Sequence, residues 1–404
     1  MQKKSKRHKP SILTKMLLSM LLSLVLMFTL LSGTIFFGGM TEQLRVNAFD
    51  ILDERVAGRR DNLEGEMVQR WSNLGESVQD INRESARVLK ENNADYSDLT
   101  ADSPISGALL EAISGRLAYQ LRRSSATGIF LILNGDADSA DPQGDEVQQR
   151  AGIYLRDYDP DTSPADDSDF MLERAPMAFV KNHNITLDTY WQPIFTFRAN
   201  EKNDYYYQPY RAALTSHTIE AENLGYWGAP DVLDPNGTPA ITYSLPLLAE
   251  DGTPYGVLGV EMTLDYVVKK LPYTEINGNV QGSYVLAKKN RGASEFETLI
   301  SSGPYFKNVF GSECETLTLS NEPVCGDSYR ILTETQGSVY GCVQYLELYN
   351  SNTPFEQEQW AILGVIQDDN LLGLYHSVLM FLVLTLLIAF AIGVASILFT
   401  SVRL

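Results

Sequence analysis

The sequence predicts an α+β fold: a long N-terminal helix, then two units of antiparallel sheet, held between two apolar helices. Three observations lead there. Uncharged apolar runs stand at opposite ends of the 404-residue chain, Met16–Met40 and Tyr375–Val402, the second with Tyr375 and His376 as its only titratable side chains. One apolar stripe runs through residues 41–92. Between residues 128 and 366, β-prone runs recur in two cycles of similar order.

Each terminal run exceeds the ~20 apolar residues that a helix needs to cross a ~30 Å hydrocarbon layer. The first is also longer than the ~7–15 residue core of a signal peptide, and no A-x-A site follows it. Residues 1–15 hold Lys3, Lys4, Lys6, Arg7, Lys9 and Lys15 without an acid, and Arg403 follows the second run. The positive-inside rule therefore puts both termini in the cytoplasm and residues 41–374 outside. These flanks take seven of the 32 basic residues and none of the 51 acids, leaving 25 against 51 and a net charge of −26 between them. Such a segment repels nucleic acid and anionic lipid. Three cysteines, Cys314, Cys325 and Cys342, allow either one disulfide outside the cell, with Cys314–Cys325 the shorter loop, or three reduced, partly buried thiols. None has C-x-x-C spacing, so no metal site is expected.

The stalk, residues 41–92, carries Leu52, Val56, Leu63, Met67, Trp71, Leu74, Val78, Ile81 and Val88, mostly three, four or seven apart. A helix this long packs on its own domain and often on its copy in a homodimer. Ser103 before Pro104 caps a second helix to about Leu121. Gly128–Asn134 and Ile153–Arg156 read as paired strands. The alternating acids Asp157, Asp159 and Asp161 fail as a calcium loop, because Thr162 replaces the turn glycine and Ser168 the closing Glu. An aromatic stretch follows, with Tyr190, Trp191, Tyr205, Tyr206, Tyr207 and Tyr210. Ile241–Leu248 and Tyr255–Met262 form a hairpin about Glu250–Pro254, and a short helix ends before Pro272. The second cycle has strands at 283–287, 297–300, 328–332, 341–346 and 360–366, and then a helix running into the second apolar run. The domain reading is thus a basic tail (1–15), span (16–38), stalk (41–92), distal unit (104–272), proximal unit (273–374), span (375–400) and stub (401–404).

This order, together with Tyr243-Ser-Leu-Pro-Leu and Tyr255-Gly-Val-Leu-Gly-Val-Glu-Met-Thr-Leu, resembles the double-Cache extracytoplasmic sensors of bacterial transmembrane receptors. The likeness covers nearly the whole chain and is densest from Gly225 to Leu271. The stalk around Gly58–Leu74 looks like that of clostridial receptors whose outputs are often diguanylate cyclases, alongside histidine kinases and chemoreceptors. The resemblance implies two tandem PAS-like modules and a small molecule bound in the distal one. No output motif is present, so the output would lie in a longer chain or in a partner.

In the amino-acid-binding subset, the resemblance implies R-x-W-Y on a helix, a further Tyr and an Asp in a G-x-D strand. Asp204-Tyr205-Tyr206-Tyr207 is the best match, with Asp204 in the arginine position, and Glu261 replaces the strand Asp. An amine or amino-acid-like ligand suits this set through cation–π contact and ion pairing. Glu261 ranks first, because a carboxylate on an apolar strand needs a partner. Trp227 and Asp231 follow, on a loop expected to roof the sheet, and then Tyr206, Tyr207, Tyr243 and Trp191, with Arg211 or Arg198 as a cation from another register. Aromatics at this density also fill cores. No cofactor is expected. An enzyme is not expected either: G-x-S-x-G, H-E-x-x-H and P-loop patterns are absent, and only His183 and His217 lie outside the tail and spans. The alternative is a structural or protein-binding exterior without a small-molecule ligand.

Overall fold

The computed structural model describes residues 12–37, 39–135, 146–161, 169–183, 185–199, 201–216, 220–233, 237–277, 281–311, 314–333 and 338–403. Thr162, Ser168 and His217 lie outside them, as do residues 1–11. The helices are α1 (Ile12–Phe37), α2 (Met40–Gly65), α3 (Gly75–Asn92), α4 (Pro104–Ser124), α5 (Met177–Asn182), α6 (Asp204–Thr215), α7 (Leu264–Lys269), α8 (Thr274–Asn277), α9 (Pro304–Phe310), α10 (Asp368–Leu371) and α11 (Gly373–Arg403). The strands of the first half are β1 (Gly128–Leu133), β2 (Val147–Arg150), β3 (Gly152–Asp157), β4 (Phe170–Arg174), β5 (Thr186–Gln192), β6 (Phe195–Arg198), β7 (Tyr226–Asp231), β8 (Ala240–Leu248) and β9 (Pro254–Thr263). Those of the second half are β10 (Gly282–Asn290), β11 (Glu295–Ser302), β12 (Thr316–Thr318), β13 (Ser328–Ile331), β14 (Val339–Leu346) and β15 (Glu358–Gln367).

Long helices therefore precede two large sheets and a two-stranded β2–β6 pair. The first is seven-stranded, ordered β5-β4-β3-β1-β9-β8-β7, and the second six-stranded, ordered β12-β11-β10-β15-β14-β13. All pairs are antiparallel except β4–β5, which sits at an edge. The expected strand pair, hairpin and second-cycle strands all form. Residues 226–231, expected as a loop, instead make edge strand β7 against β8.

All nine apolar stripe residues of the stalk are buried. The helix is not continuous, however. It passes through a π-turn at Glu66–Trp71 and breaks at Ser72–Leu74 before α3. The physical reason is that the stalk serves two sheets. α2 packs on β14 and β15, whereas α3 packs on β8. Gly364 admits α2, since a Cβ there would lie 2.3 Å from Val56. Asp53 of α2 latches to the second sheet by accepting from the Asp327 N–H (3.2 Å) and the Ser328 hydroxyl (3.0 Å). The reoriented backbone at the break is satisfied by Gln120 of α4, whose Nε2 donates to the Asn73 carbonyl at 2.9 Å. Because the stripe is spent inside the chain, a dimer would need another face of the stalk.

The apolar helices α1 and α11 lie side by side and antiparallel. Phe28 and Phe390 approach to 4.9 Å between ring centroids, and Gly393 leaves room for Leu24, to which a Cβ would come within 2.7 Å. Large side chains elsewhere on both helices, such as Leu18, Leu22, Met380 and Phe381, point outward and are exposed. Among the described residues, Tyr375–Ile397 is the one helix long and apolar enough to cross a membrane, and Leu18–Gly33 is a shorter apolar segment. α2 leaves this pair along the second sheet, and β15 of that sheet returns to it. The second sheet is therefore the near one and the first the far one. The three cysteines are free thiols, with Cys342 buried, so the Cys314–Cys325 disulfide is not formed.

Candidate functional site

The far sheet has two faces of different chemistry. Odd-numbered residues of β1 and β3, with Tyr243, Leu245, Leu258 and Val260, join the large apolar core shared with the stalk. The other face carries Phe130, Tyr154 and Val257 beneath Tyr205, Tyr206, Tyr207 and Tyr210 of α6. Glu261 is two and four residues from Gly259 and Val257 along β9, so it shares their face.

Strand register places one row across five strands of that face: Arg156, Gly128, Glu261, Thr242 and Gly228. Glu261 is fully buried. It spans the glycine beside it to meet Arg156, whose Nε donates to Oε1 at 2.7 Å. The Tyr154 hydroxyl donates to Oε2 at 2.5 Å, and Arg156 also reaches Glu173 at 3.2 Å. Gly128 is required here, because a Cβ would lie 2.7 Å from the Glu261 carboxylate. Burial disfavours the charge of Arg156, but Tyr154, Glu261 and Glu173 hold its pKa above the ordinary value. Burial, reinforced by Glu261, holds the Tyr154 phenol well above its usual range, so it stays a donor.

Two hydroxyls beside this ion pair are open. Thr242 and Ser244 of β8 are 1% and 0% exposed, and neither Oγ finds a hydrogen-bond partner among the described residues. Thr242 pairs with Glu261 and Ser244 with Gly259, so both point toward the α6 side. At the N-terminal end of α6, Asp231 closes β7. Burial, with the nearby Asp204 carboxylate, raises its pKa although the Val232 N–H works against that rise. Across the first turn of α6 Arg150, 3% exposed, donates to Asn134 and, at 2.8 Å, to Gln148. Its guanidinium lies 5.0 Å from the Tyr206 ring centroid. Gln148 in turn accepts from Tyr207 at 3.1 Å, which ties α6 to the β2–β6 pair.

The expected site residues therefore divide. Glu261, Tyr206, Tyr207 and Asp231 come to the α6 side, and Arg211 covers the Tyr207 ring at 5.1 Å. Trp227 and Tyr243, 4.8 Å apart, face the other way. Trp227 meets Trp360 of the near sheet at 6.4 Å and donates its backbone N–H to Tyr349 at 2.9 Å. They belong to the junction between the sheets. Trp191 lies on edge strand β5, against the stalk-side core. Sequence reading missed Arg150, Arg156 and Arg174, all buried. One signal was available: Arg156 interrupts an apolar strand just as Glu261 does. Among the described residues one group has metal-ligand spacing, Asp368, Asp369 and His376, within 4.8 Å of one another. It is largely exposed, and solvated acids group this way without an ion.

The acidic turn after β3 makes a separate, testable feature. Burial pushes Asp157 up to about 6, against the Asp159 N–H it accepts from and with the help of the Asp169 carboxylate. The folded value exceeds the unfolded 3.8, so the stabilising proton is fully bound below pH 3.8 and lost as pH rises through about 6. Thermal melting of the full chain from pH 4 to 8 is expected to show that loss. Asp157→Asn should flatten it and raise the melting temperature at neutral pH; an unchanged profile would rule out Asp157 as its source.

No protein-family model matches the chain, and no curated protein matches its sequence. Solved structures do resemble it. The periplasmic sensory domain of the Campylobacter jejuni chemoreceptor Tlp1 is 11% identical, with 80% of this chain and 95% of that one covered and a TM-score of 0.41. The ligand-binding domain of the Pseudomonas fluorescens chemoreceptor CtaA, solved with L-leucine, is 13% identical, with 82% and 97% covered and a TM-score of 0.34. That of Campylobacter jejuni Tlp3, solved with L-valine, is 12% identical, with 82% and 97% covered and a TM-score of 0.36. These are sensory domains of bacterial receptors. They are of the kind that the sequence itself resembles, and at such scores they assign no residue of this chain a role.

Proposed function

We propose that residues 41–374 are the extracytoplasmic sensor of a two-span receptor, and that a small molecule bearing a protonated amine binds between the far sheet and α6. The observation that carries this reading is the pair of unpartnered, buried hydroxyls of Thr242 and Ser244. An unsatisfied buried hydroxyl costs ~1–3 kcal/mol, which a ligand donor recovers. Asp231 and Asp204 supply negative charge at the same end of α6, and the tyrosines supply ring faces. Glu261 is already paired with Arg156 and Tyr154, so it orders the row instead of meeting the ligand's charge.

Basic flanks on both apolar helices, and their antiparallel packing, support two spans with both termini in the cytoplasm. Binding beside β7–β9 would bear on the Trp227–Trp360 contact and, through β15 and α10, on α11. The output then changes by population shift between two arrangements.

The test is thermal shift of the full chain in detergent against a panel of aliphatic amines, aromatic amines and amino acids. At least one is expected to stabilise it. Thr242→Val should weaken that ligand about tenfold, equivalent to ~1.4 kcal/mol, while leaving the unliganded protein as stable or more so, since it removes an unpaired hydroxyl. A panel without a single stabiliser would refute the reading.

A further inference from the structure

We infer that the foot of the stalk holds one acyl chain of a bilayer lipid, drawn upward from the outer leaflet. A groove of about 380 Å³ opens between α2, α8 and the start of α11. Leu44, Ala48 and Ile51, with Asn47 among them, form its α2 wall, and Ile276, Leu371 and Tyr375, with Asn370, the opposite one. Ile51 is 49% exposed, a large apolar side chain left uncovered beside it. At the top, Arg55 closes the groove by donating to the Ile276 carbonyl at 2.5 Å.

Height selects the occupant. Tyr375 opens the second apolar run, and Leu44 lies one helical turn above Met40, where the first run ends. The mouth is thus level with the ends of both apolar helices. From Leu44 to Arg55 the wall rises ~16 Å at 1.5 Å per residue, so an extended acyl chain can lie along it. Such a chain reaches the mouth by lateral diffusion without crossing water. Burying the apolar wall against it removes that wall from water. Asp368 and Asp369, which adjoin the lining residue Asn370 in sequence, and the net negative charge between the two apolar runs favour a zwitterionic lipid over an anionic one.

The inference rests on the two-span reading, and its test separates the two. The full chain is reconstituted in phosphatidylcholine vesicles containing a phosphatidylcholine with a diazirine at the end of one acyl chain. That end normally sits near the bilayer centre, so it can reach Ile51 only if the chain turns up into the groove. After irradiation, labelled peptides are expected at 44–52 as well as at the exposed mid-span side chains Met27 of α1 and Leu387 of α11. Ile51→Trp fills the groove and should cut labelling at 44–52 about tenfold while sparing Leu387. Label on Met27 and Leu387 but not at 44–52 would overturn the groove and leave the spans. No label on either helix would overturn both. A disulfide between two copies of Ile51→Cys would assign the groove to a dimer contact instead.

Discussion

Replacing Glu261 with alanine is expected to destabilise the far sheet by about 3–5 kcal/mol, the cost of stripping one partner from a buried ion pair. The charge of Arg156 is 6% exposed and would keep only Glu173, at 3.2 Å, as a counterion. The Tyr154 hydroxyl would lose its acceptor as well. At ~2–4 °C per kcal/mol for a unit of this size, the melting temperature falls by about 6–20 °C. The origin of the loss can be separated from simple cavity formation. Glu261→Leu combined with Arg156→Met and Glu173→Leu replaces all three charges by apolar groups, so that no buried carboxylate is left facing an absent Arg156; such a change is often neutral or stabilising by ~1–4 kcal/mol. The triple variant should therefore melt above Glu261→Ala. Calorimetry of the full chain decides it: a single-variant loss under 1 kcal/mol, or a triple variant as weak as the single, would mean that the row is not organised by charge.

Trp71→Ala should be nearly as damaging and at a different place. Trp71 is fully buried in the π-turn of the stalk, with its ring 6.2 Å from that of Tyr266. Truncating a buried Trp costs ~3–5 kcal/mol. Its indole N–H is buried without a partner, so removing it returns part of a ~1–3 kcal/mol desolvation cost. A net loss of about 2–4 kcal/mol follows, and Trp71→Phe, which keeps a ring and drops the N–H, should cost under about 1.5 kcal/mol. Hydrogen exchange at residues 66–74 should accelerate in the alanine variant before exchange in α2 or α3 does. If Trp71→Phe proved as harmful as Trp71→Ala, ring packing would not be what holds the break.

Several elements were legible from local pattern. The hairpin at 240–263 shows in its alternation and its Asp-Gly turn, and the stalk stripe in its helical spacing. Ser103 caps α4 as its type suggests, accepting from the Ile105 N–H at 3.2 Å. The candidate site was legible only in part. Glu261 stood out because one carboxylate on an apolar strand is conspicuous. Its partner did not, because Arg156 is 105 residues away and their meeting depends on Gly128 between them. The facing of Trp227 and Tyr243 was illegible for a related reason. Period-two alternation says which residues share a face, but not which of the two faces looks toward α6.

Composition and periodicity alone determined the α+β class, the two apolar ends, the acidic segment between them and the pattern of buried positions. Each follows from chemistry that a residue carries within a few positions of itself. Only the tertiary structure decided that the stalk breaks where it passes between two sheets, that Glu261 is matched by Arg156, and that Thr242 and Ser244 stay unpaired beneath α6. Those outcomes depend on strand register and on which sheet a helix must follow, and both are fixed by contacts distant along the chain.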